Sequence, residues 1–334
     1  MDRFAPVELP SRDALYAPVA SIMAREDWEE RFAADIEAIL RLKCERNAVI
    51  LAHNYQTPEI FHCVSDMRGD SLALAREAQD TEASVIVMAG VEFMAETAKL
   101  MNPGKTVLIP DDRAGCSLAD SITAENVRAL KAAHPGVPVI TYVNSSAAVK
   151  AETDVCCTSG NARKVVETVA REWGVDRVIM IPDEFLARNV RNETGIEMIT
   201  WPGHCEVHEK FTPQEIRQYR RMHPGVVVLA HPECPPEVVA EADYSGSTAG
   251  MMQFVAEKRP GKALLVTECS MSDNLAALFP ATQFVRPCNL CPHMKRITLP
   301  AIRNALETMT RAVEIPDALI PAARRSVERM LDIR

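Results

Sequence analysis

The sequence lacks the features of several common protein classes. No apolar run approaches the roughly 20 residues that a membrane-spanning helix needs. Asp2 lies beside the start and no unbroken apolar segment follows it, so we expect no signal peptide. Basic residues are not in excess, and the net charge of −9 argues against a nucleic-acid or anionic-membrane partner. With 47% hydrophobic and 25% charged residues, the composition is that of an ordinary globular protein.

Cysteine is present, but not in the dense pattern of a disulfide scaffold. Ten cysteines are scattered over 334 residues. We interpret most of them, including Cys44, Cys63 and Cys269, as buried small hydrophobic residues of a cytoplasmic protein in a reducing environment. The adjacent Cys156 and Cys157 are predicted to lie in a loop before a helix and to serve packing rather than ligation.

Short β-branched runs alternate with amphipathic helical stretches along the chain. This alternation is typical of an α/β fold with parallel sheets. Thr212, Pro213 and Glu215 have the residue types of a helix N-cap, first position and third position, which predicts a capping box. The strands are predicted in three groups of three, at 48–55, 83–89 and 105–111; at 137–144, 176–182 and 196–202; and at 226–233, 262–268 and 282–287.

The three groups repeat at a nearly fixed interval, which indicates an internal triplication. Three sets of residues recur every 88 or 89 positions, namely His53, Tyr142 and His231; Tyr55, Asn144 and Glu233; and Ser71, Ser159 and Ser247. We predict an N-terminal segment at 1–34, repeat domains at 35–119, 120–207 and 208–293, and C-terminal helices at 294–334 that pack back on the domains.

Polar residues at the strand ends suggest where a site would lie. Ligands of open parallel sheets bind beyond the carboxyl ends of the strands. We therefore expect three pseudo-symmetric, three-layer αβα domains whose strand ends face one active site at a central axis. The alternative is a solenoid, in which the same residues would lie along a ribbon.

Each repeat ends in a cysteine after its third strand. The interval from the last apolar strand residue is 7 positions for Cys116, 6 for Cys205, 6 for Cys291 and 3 for Cys288. The repeat therefore selects Cys291, and Cys288 becomes a bystander or a redox neighbour. Three converging thiolates suit a [4Fe–4S] cluster with one open iron, or a zinc site completed by a further ligand or water.

Other polar residues fit a site for an acidic ligand. The segments that contain Ser71, Ser159 and Ser247 lie at predicted helix starts, where backbone N–H groups favour phosphate or carboxylate. For any one of these segments on its own, simple N-capping is the better interpretation. The His, Tyr and Glu residues of the repeat are candidate general acids and bases. His208 is either a substrate or supporting group or an ordinary loop residue.

The motifs ILAHNYQTPEI, GDSLALA, TYVNSSAAVKA, WPGHCEVHEKF, AHPEC and CPHMKRITL, in this order, resemble those of the quinolinate synthase family from about residue 35 to the end. The resemblance implies a [4Fe–4S] cluster held by Cys116, Cys205 and Cys291. It implies condensation of iminoaspartate with dihydroxyacetone phosphate to quinolinate, with release of phosphate and two waters. It implies acid–base roles for Tyr55, Tyr142, His231 and Glu233. The predicted substrate-binding set is His53, Ser71, Tyr142, Val143, Asn144, Ser159, His208, His231, Pro232, Glu233, Ser247 and Thr248.

Two other functions share part of this pattern. A different cluster-dependent hydro-lyase would use the same open iron on another hydroxy acid. A non-catalytic iron–sulfur redox sensor would use Cys288 and Cys291 as its switch, but a sensor needs no ring of acid–base residues at the strand ends. For the synthase, an L-aspartate oxidase or an aspartate dehydrogenase would supply iminoaspartate.

Overall fold

The structure is a computed structural model that describes residues 9–333. Within these residues, twelve strands form three four-stranded sheets, and every pair of neighbouring strands is parallel. The strands are β1 Ala48–His53, β2 Met67–Gly69, β3 Val85–Ala89, β4 Thr106–Leu108, β5 Val139–Tyr142, β6 Val155–Cys157, β7 Arg177–Ile181, β8 Glu197–Thr200, β9 Val227–Ala230, β10 Tyr244–Ser245, β11 Lys262–Val266 and β12 Gln283–Val285.

Helices connect the strands and cover the sheets. The described residues contain α1 Arg12–Tyr16, α2 Arg25–Arg31, α3 Ala33–Arg46, α4 Pro58–Cys63, α5 Ser71–Asp80, α6 Glu92–Met101, α7 Ser117–Asp120, α8 Ala124–Ala133, α9 Ala147–Ala151, α10 Ala162–Trp173, α11 Glu184–Thr194, α12 Pro213–Met222, α13 Pro236–Val239, α14 Thr248–Lys258, α15 Cys269–Leu278, α16 Leu299–Thr308 and α17 Ile320–Asp332. Short 3-10 turns lie at Ala17–Val19, His208–Lys210 and Met294–Arg296. No helix in this part of the chain combines the length and apolarity that a bilayer requires.

The three sheets have the same strand order. The orders are β2-β1-β3-β4, β6-β5-β7-β8 and β10-β9-β11-β12, so the first predicted strand of each group lies inside its sheet. Inner strands such as β1 are buried along most of their length, which explains their continuous apolar sequence. The α/β fold with parallel sheets is confirmed.

The sequence did not predict the edge strands β2, β6 and β10. Each is only two or three residues long, too short to show an alternating pattern. Cys156 and Cys157 lie in β6 rather than in a loop, so that prediction was wrong. Both side chains are fully buried, as their predicted packing role requires.

Two other predictions about cysteines were wrong. Cys44 is exposed, whereas Cys63 is buried as expected. Cys269 is buried but not as a free thiol, because a disulfide joins it to Cys288. The partner of Cys288 is therefore in α15, and the Cys291 thiol remains free.

The outer helices brace the sheets through contacts between distant parts of the sequence. α16 packs on α3, and α17 packs on α9 and β6.

The capping box at α12 is present: the hydroxyl of Thr212 accepts from the amide of Glu215 at 3.3 Å, and the Glu215 carboxylate accepts from the amide of Thr212 at 2.9 Å.

We expect Thr212→Ala to lower the free energy of unfolding by about 1 kcal/mol, because the amide of Glu215 loses its acceptor. Thr212→Ser keeps the hydroxyl and should stay within a few tenths of a kcal/mol of the parent protein. Urea unfolding of the three proteins measures the difference. Equal losses in both variants would contradict the capping role.

Candidate active site

The inner strands of the three sheets end in polar turns. We call residues 53–56, 142–145 and 231–234 the strand-end turns. In the first, the amide of Tyr55 donates to Nδ1 of His53 at 3.2 Å, and in the third the amide of Glu233 donates to Nδ1 of His231 at 3.3 Å. Burial lowers the pKa of His53 to about 4 and that of His231 to about 3. Both rings are therefore neutral, and each keeps Nε2–H as a donor.

Residues from all three strand-end turns line one cavity of about 70 Å³. The predicted site residues that line it are His53, Tyr55, Ser71, Cys116, Tyr142, Asn144, Ser159, Cys205, His208, His231, Glu233, Thr248 and Cys291. Val143 instead lines a smaller cavity beside it. Pro232 and Ser247 line an adjoining cleft of about 750 Å³, which meets the first cavity at Ser159. The fold thus brings together most, but not all, of the predicted site residues.

Glu233 is the centre of a buried polar cluster. The hydroxyl of Tyr142 donates to Oε1 of Glu233 at 2.5 Å, and Oε2 lies 2.8 Å from Nδ1 of His208. Burial on its own would raise the pKa of Glu233, but the interactions with the neighbouring His208 and His231 and the hydrogen bonds from His208 and Tyr142 outweigh it and hold the pKa below its usual range. Glu233 is therefore a carboxylate.

The two site tyrosines are kept in the phenol form. Burial and the negative charge of Glu233 raise the pKa of both Tyr55 and Tyr142 well above the usual value.

His208 is not an ordinary loop residue, because it is 1% exposed and its ring stacks on that of His231 with the centroids 4.7 Å apart. The cavity therefore holds a carboxylate beside neutral hydrogen-bond donors.

The three predicted cysteine ligands have the same local geometry. In each case the carbonyl of the cysteine accepts from the amide four residues further on. Two backbone N–H groups near each sulfur lower the thiol pKa against the larger effect of burial, which raises it. These N–H groups belong to Leu118 and Ala119 for Cys116, Val207 and His208 for Cys205, and His293 and Met294 for Cys291.

The helices that follow β3, β7 and β11 anchor the loops that contain Cys116, Cys205 and Cys291, which we call the cysteine loops, in the same way. The first amides of α6, α11 and α15 donate to the carbonyl two residues before the cysteine, at Ala114, Gly203 and Asn289. Asn289 is two residues before Cys291, so the geometry agrees with the register that selects Cys291 over Cys288. A glycine is needed at 203, because a Cβ there would lie 2.4 Å from the carbonyl oxygen of Pro182.

Hydrogen bonds join the three cysteine loops. The hydroxyl of Ser117, next to Cys116, donates to the carbonyl of His204 and accepts from the amide of Glu206, both at 3.2 Å. The Glu206 carboxylate lies 3.0 Å from Nε2 of His293. Because these contacts link all three loops, the sulfurs are held on one wall of the cavity.

These residues fit a metal group. Backbone N–H groups directed at a sulfur stabilise its thiolate form, and the thiolate is the form that binds metal. Burial raises the pKa of the Cys116 thiol to about 12, so an unligated thiol there is protonated and a bound metal would displace the proton. Cys205, His208 and Glu233 also offer ligand atoms within 4.8 Å of one another, which is a second possible arrangement for a metal ion.

Comparison with known proteins identifies the family of this chain. Residues 37–332 match the family model described as Quinolinate synthetase A protein. The chain belongs to this family. It is 64% identical over 97% of its length to a protein named quinolinate synthase 2 from Mesorhizobium japonicum, covering 98% of that protein. It is also 64% identical to a quinolinate synthase from Agrobacterium fabrum, over 97% of this chain and 92% of the relative.

The starts of α5 and α14 differ by one residue from the predicted pairing of Ser71 with Ser247. Asp70 and Ser247 are the N-caps of α5 and α14, and their side chains accept from Ala73 and Gly250. The structural counterpart of Ser71 is therefore Thr248, the first residue of α14, and not Ser247. Thr248 lines the cavity, whereas Ser247 lines the adjoining cleft.

Sequence reasoning missed the groups that hold the strand-end turns. Each turn has a buried donor that bonds the carbonyls before and after its central residue. Asn274 Nδ2 donates to the carbonyls of residues 54 and 56, at 3.1 and 2.8 Å. Asn189 Nδ2 donates to those of residues 232 and 234, at 2.8 and 2.9 Å. Lys150 Nζ donates to those of residues 143 and 145.

These three donors position Tyr55, Asn144 and Glu233, the residues that the repeat places in register. We call Lys150, Asn189 and Asn274 the turn clamps. The sequence contains a signal for two of them, since Asn189 and Asn274 each lie six positions after the acidic N-cap of α11 or α15. The third clamp, Lys150, is a lysine in α9 and not an asparagine, so it does not follow this spacing.

We expect Asn189→Ala and Asn274→Ala each to lower the free energy of unfolding by about 1–3 kcal/mol, because two buried carbonyls lose a shared donor. Asn304→Ala is the matched control, since Asn304 is an exposed residue of α16. Urea unfolding measures the three differences. Losses no larger than that of the control would contradict the clamp role.

Proposed function

We propose that this chain is a quinolinate synthase of NAD biosynthesis. It condenses iminoaspartate with dihydroxyacetone phosphate to give quinolinate, phosphate and two waters. The observation that carries this proposal is the convergence of three equivalent cysteine loops and three strand-end turns on one cavity, in a member of this family.

The three sheets with one strand order support an origin by internal triplication. We propose repeat domains at 35–119, 120–207 and 208–293, arranged around a pseudo-threefold axis on which the cavity lies. The C-terminal segment at 294–334 then braces the first two domains through α16 and α17.

Cys116, Cys205 and Cys291 are the proposed ligands of a [4Fe–4S] cluster. A cluster normally takes four thiolates, so a set of three protein ligands leaves one iron open. When bound, the group supplies a Lewis acid that polarises a substrate oxygen and assists dehydration. The N–H groups directed at each sulfur support this assignment, because they stabilise thiolate without adding a charged residue.

The anionic groups of the substrates need donors, and the cavity offers them without basic side chains. Ser71 and Thr248 are the first residues of α5 and α14, where free N–H groups and the helix dipole favour a phosphate or a carboxylate. Nε2–H of His53 and of His231 are further donors at the strand ends. Asn144 and Ser159 complete this wall, and the cleft lined by Pro232 and Ser247 is the proposed entrance.

The reaction also requires several proton transfers. A base must remove a proton from the carbon of iminoaspartate that forms the new bond, and acids must protonate the departing oxygens. Glu233 is a carboxylate and is the proposed base. Tyr142 and Tyr55 are phenols, and with the neutral His231 they are the proposed donors.

We place this activity in the cytoplasm. An L-aspartate oxidase or an aspartate dehydrogenase would supply iminoaspartate, because both classes of enzyme oxidise the amine of aspartate to an imine. The net charge of −9 gives no support for a nucleic-acid or membrane partner.

The function is tested by anaerobic purification, iron and sulfide analysis, and assay of quinolinate formed from iminoaspartate and dihydroxyacetone phosphate. We expect about four iron and four sulfide per chain, with quinolinate and phosphate formed in equal amounts. A zinc protein without sulfide would overturn the cofactor proposal. An intact cluster with no quinolinate formed would overturn the reaction.

We expect Cys291→Ala to lose the cluster, because the third sulfur is removed. Cys288→Ala is the matched control, since its sulfur is bonded to Cys269 and not free. Anaerobic visible absorption and iron analysis distinguish the two variants. Loss of iron from Cys288→Ala alone would show that the register is wrong.

Glu233→Gln should keep its cluster and lower kcat by about 10²- to 10⁴-fold, because the amide cannot accept a proton. Glu237→Gln, at an exposed position on α13, is the control and should leave the rate unchanged. Steady-state assays with iron analysis on the same samples measure both properties. Unchanged turnover in Glu233→Gln would remove this residue from the acid–base set.

A further inference from the structure

Three side chains that line the cavity are close enough together to bind a single metal ion. They are Cys205, His208 and Glu233, whose ligand atoms all lie within 4.8 Å of one another. Nδ1 of His208 is 3.1 Å from Sγ of Cys205 and 2.8 Å from Oε2 of Glu233. Among residues 9–333, no other three cysteine, histidine or acidic side chains form such a group. We call this set the mixed-ligand triad.

The three cysteines of the proposed cluster are a different set. Cys116, Cys205 and Cys291 line the same cavity, but their sulfurs do not form a group that one ion can bridge. A single ion with metal–sulfur bonds of about 2.3 Å needs its sulfurs within roughly 4 Å of one another, whereas a cluster has several metal atoms and reaches ligands that lie further apart. The cavity therefore suits a cluster on the three sulfurs, or one ion in the mixed-ligand triad.

The ligand atoms of the triad favour zinc. Thiolate, imidazole and carboxylate are the usual protein ligands of zinc, and an ion with three of them keeps water in its fourth position. Bonds of about 2.0–2.3 Å in a tetrahedral site place ligand atoms roughly 3.4–3.6 Å apart, so the two contacts of His208 need to open by about half an ångström. Zinc also binds such ligands more tightly than ferrous iron does.

The surroundings hold two of the ligands in an orientation that suits an ion. His208 and Glu233 are 1% and 4% exposed. The hydroxyl of Tyr142 donates to Oε1 of Glu233, which leaves Oε2 for an ion. A metal-bound imidazole carries its proton on the other nitrogen and donates it to a nearby acceptor. The hydroxyl oxygen of Thr267, 2.9 Å from Nε2 of His208, is such an acceptor.

We propose that the cluster-free chain binds one divalent cation of the zinc class at Cys205, His208 and Glu233, with water as the fourth ligand, and that this ion blocks cluster assembly. The block follows because Cys205 is a ligand in both arrangements and cannot serve both. Binding releases the thiol proton of Cys205 to solvent, and His208 stays neutral with its proton on Nε2. The cation site is independent of the proposed function, and only the competition with the cluster rests on it.

Cobalt(II) tests the ligand set, because it replaces zinc in tetrahedral sites and its absorption spectrum reports the ligands. The protein is freed of metal with a chelator and kept anaerobic. With Co²⁺ we expect the visible bands of a tetrahedral ion and the charge-transfer band of a single thiolate. Cys205→Ala should lose the charge-transfer band. Cys116→Ala and Cys291→Ala are the matched controls and should keep the parent spectrum.

The other two ligands are tested by the affinity for Zn²⁺, measured in competition with a chromophoric chelator. We expect Glu233→Gln and His208→Gln each to weaken binding by more than about 100-fold, the largest loss usual when only a residue hydrogen-bonded to a ligand is changed. Glu237→Gln, at an exposed position on α13, is the control and should bind like the parent. If a ligand variant does not fold, as shown by circular dichroism, the three cysteine variants still decide the site.

The competition is measured by rebuilding the cluster from iron and sulfide. Zn²⁺ added first, in an amount equal to the protein, should prevent cluster formation in the parent. Glu233→Gln should form its cluster with or without zinc, because it keeps all three cysteines and has lost a zinc ligand. Equal cluster yields with and without zinc in the parent would contradict the competition.

The outcomes separate the cation site from the function proposed above. If the parent forms no cluster even without zinc, the cofactor proposal is wrong, whereas the Co²⁺ spectra still decide the cation site. If the Co²⁺ spectrum requires Cys116 and Cys291 as well as Cys205, the ion lies among the three sulfurs and the triad is not its site. A spectrum without a thiolate band, unchanged in every variant, would show surface binding and would also overturn the proposal.

Discussion

The buried carboxylate of Glu233 is the constraint on which the site depends. A charge removed from water is strongly destabilising unless hydrogen bonds and opposite partial charges surround it. Glu233 finds these partners in Tyr142, from the turn after β5, and in His208, from the segment that follows Cys205. Satisfying one charge therefore fixes side chains from distant parts of the sequence.

In the cysteine loops, backbone N–H groups and not side chains stabilise negative charge. Three thiolates brought together by a bound metal group would repel one another, and among residues 9–333 no lysine or arginine lines the cavity to offset them. Pairs of N–H groups at each sulfur supply partial positive charge in a fixed geometry. Since the same turn is used three times, the arrangement needs only a short local sequence after β4, β8 and β12.

The sequence predicted what depends on long apolar runs and on the repeat interval. The inner strands and the parallel fold predicted in this way are confirmed, whereas the choice of Cys291 as a ligand stays a prediction. It did not predict β10, which has only two residues, or the disulfide of Cys269, whose partner lies 19 residues away and is brought close only by folding. The pairing of Ser71 with Ser247 was off by one residue, because capping is decided by local hydrogen bonds that the repeat interval does not record.

The turn clamps have a consequence for the chain as a whole. α11, beside the second sheet, holds the turn of the third, and α15, beside the third sheet, holds the turn of the first. From α6, beside the first sheet, Glu96 accepts the amide of Ala147 just after the turn of the second. Each sheet thus supports the next in a closed head-to-tail circuit, like the subunits of a cyclic trimer joined into one polypeptide. The turns of the first and third repeats therefore lose their clamps when either repeat is excised from the chain, whereas the turn of the second keeps its own clamp, Lys150.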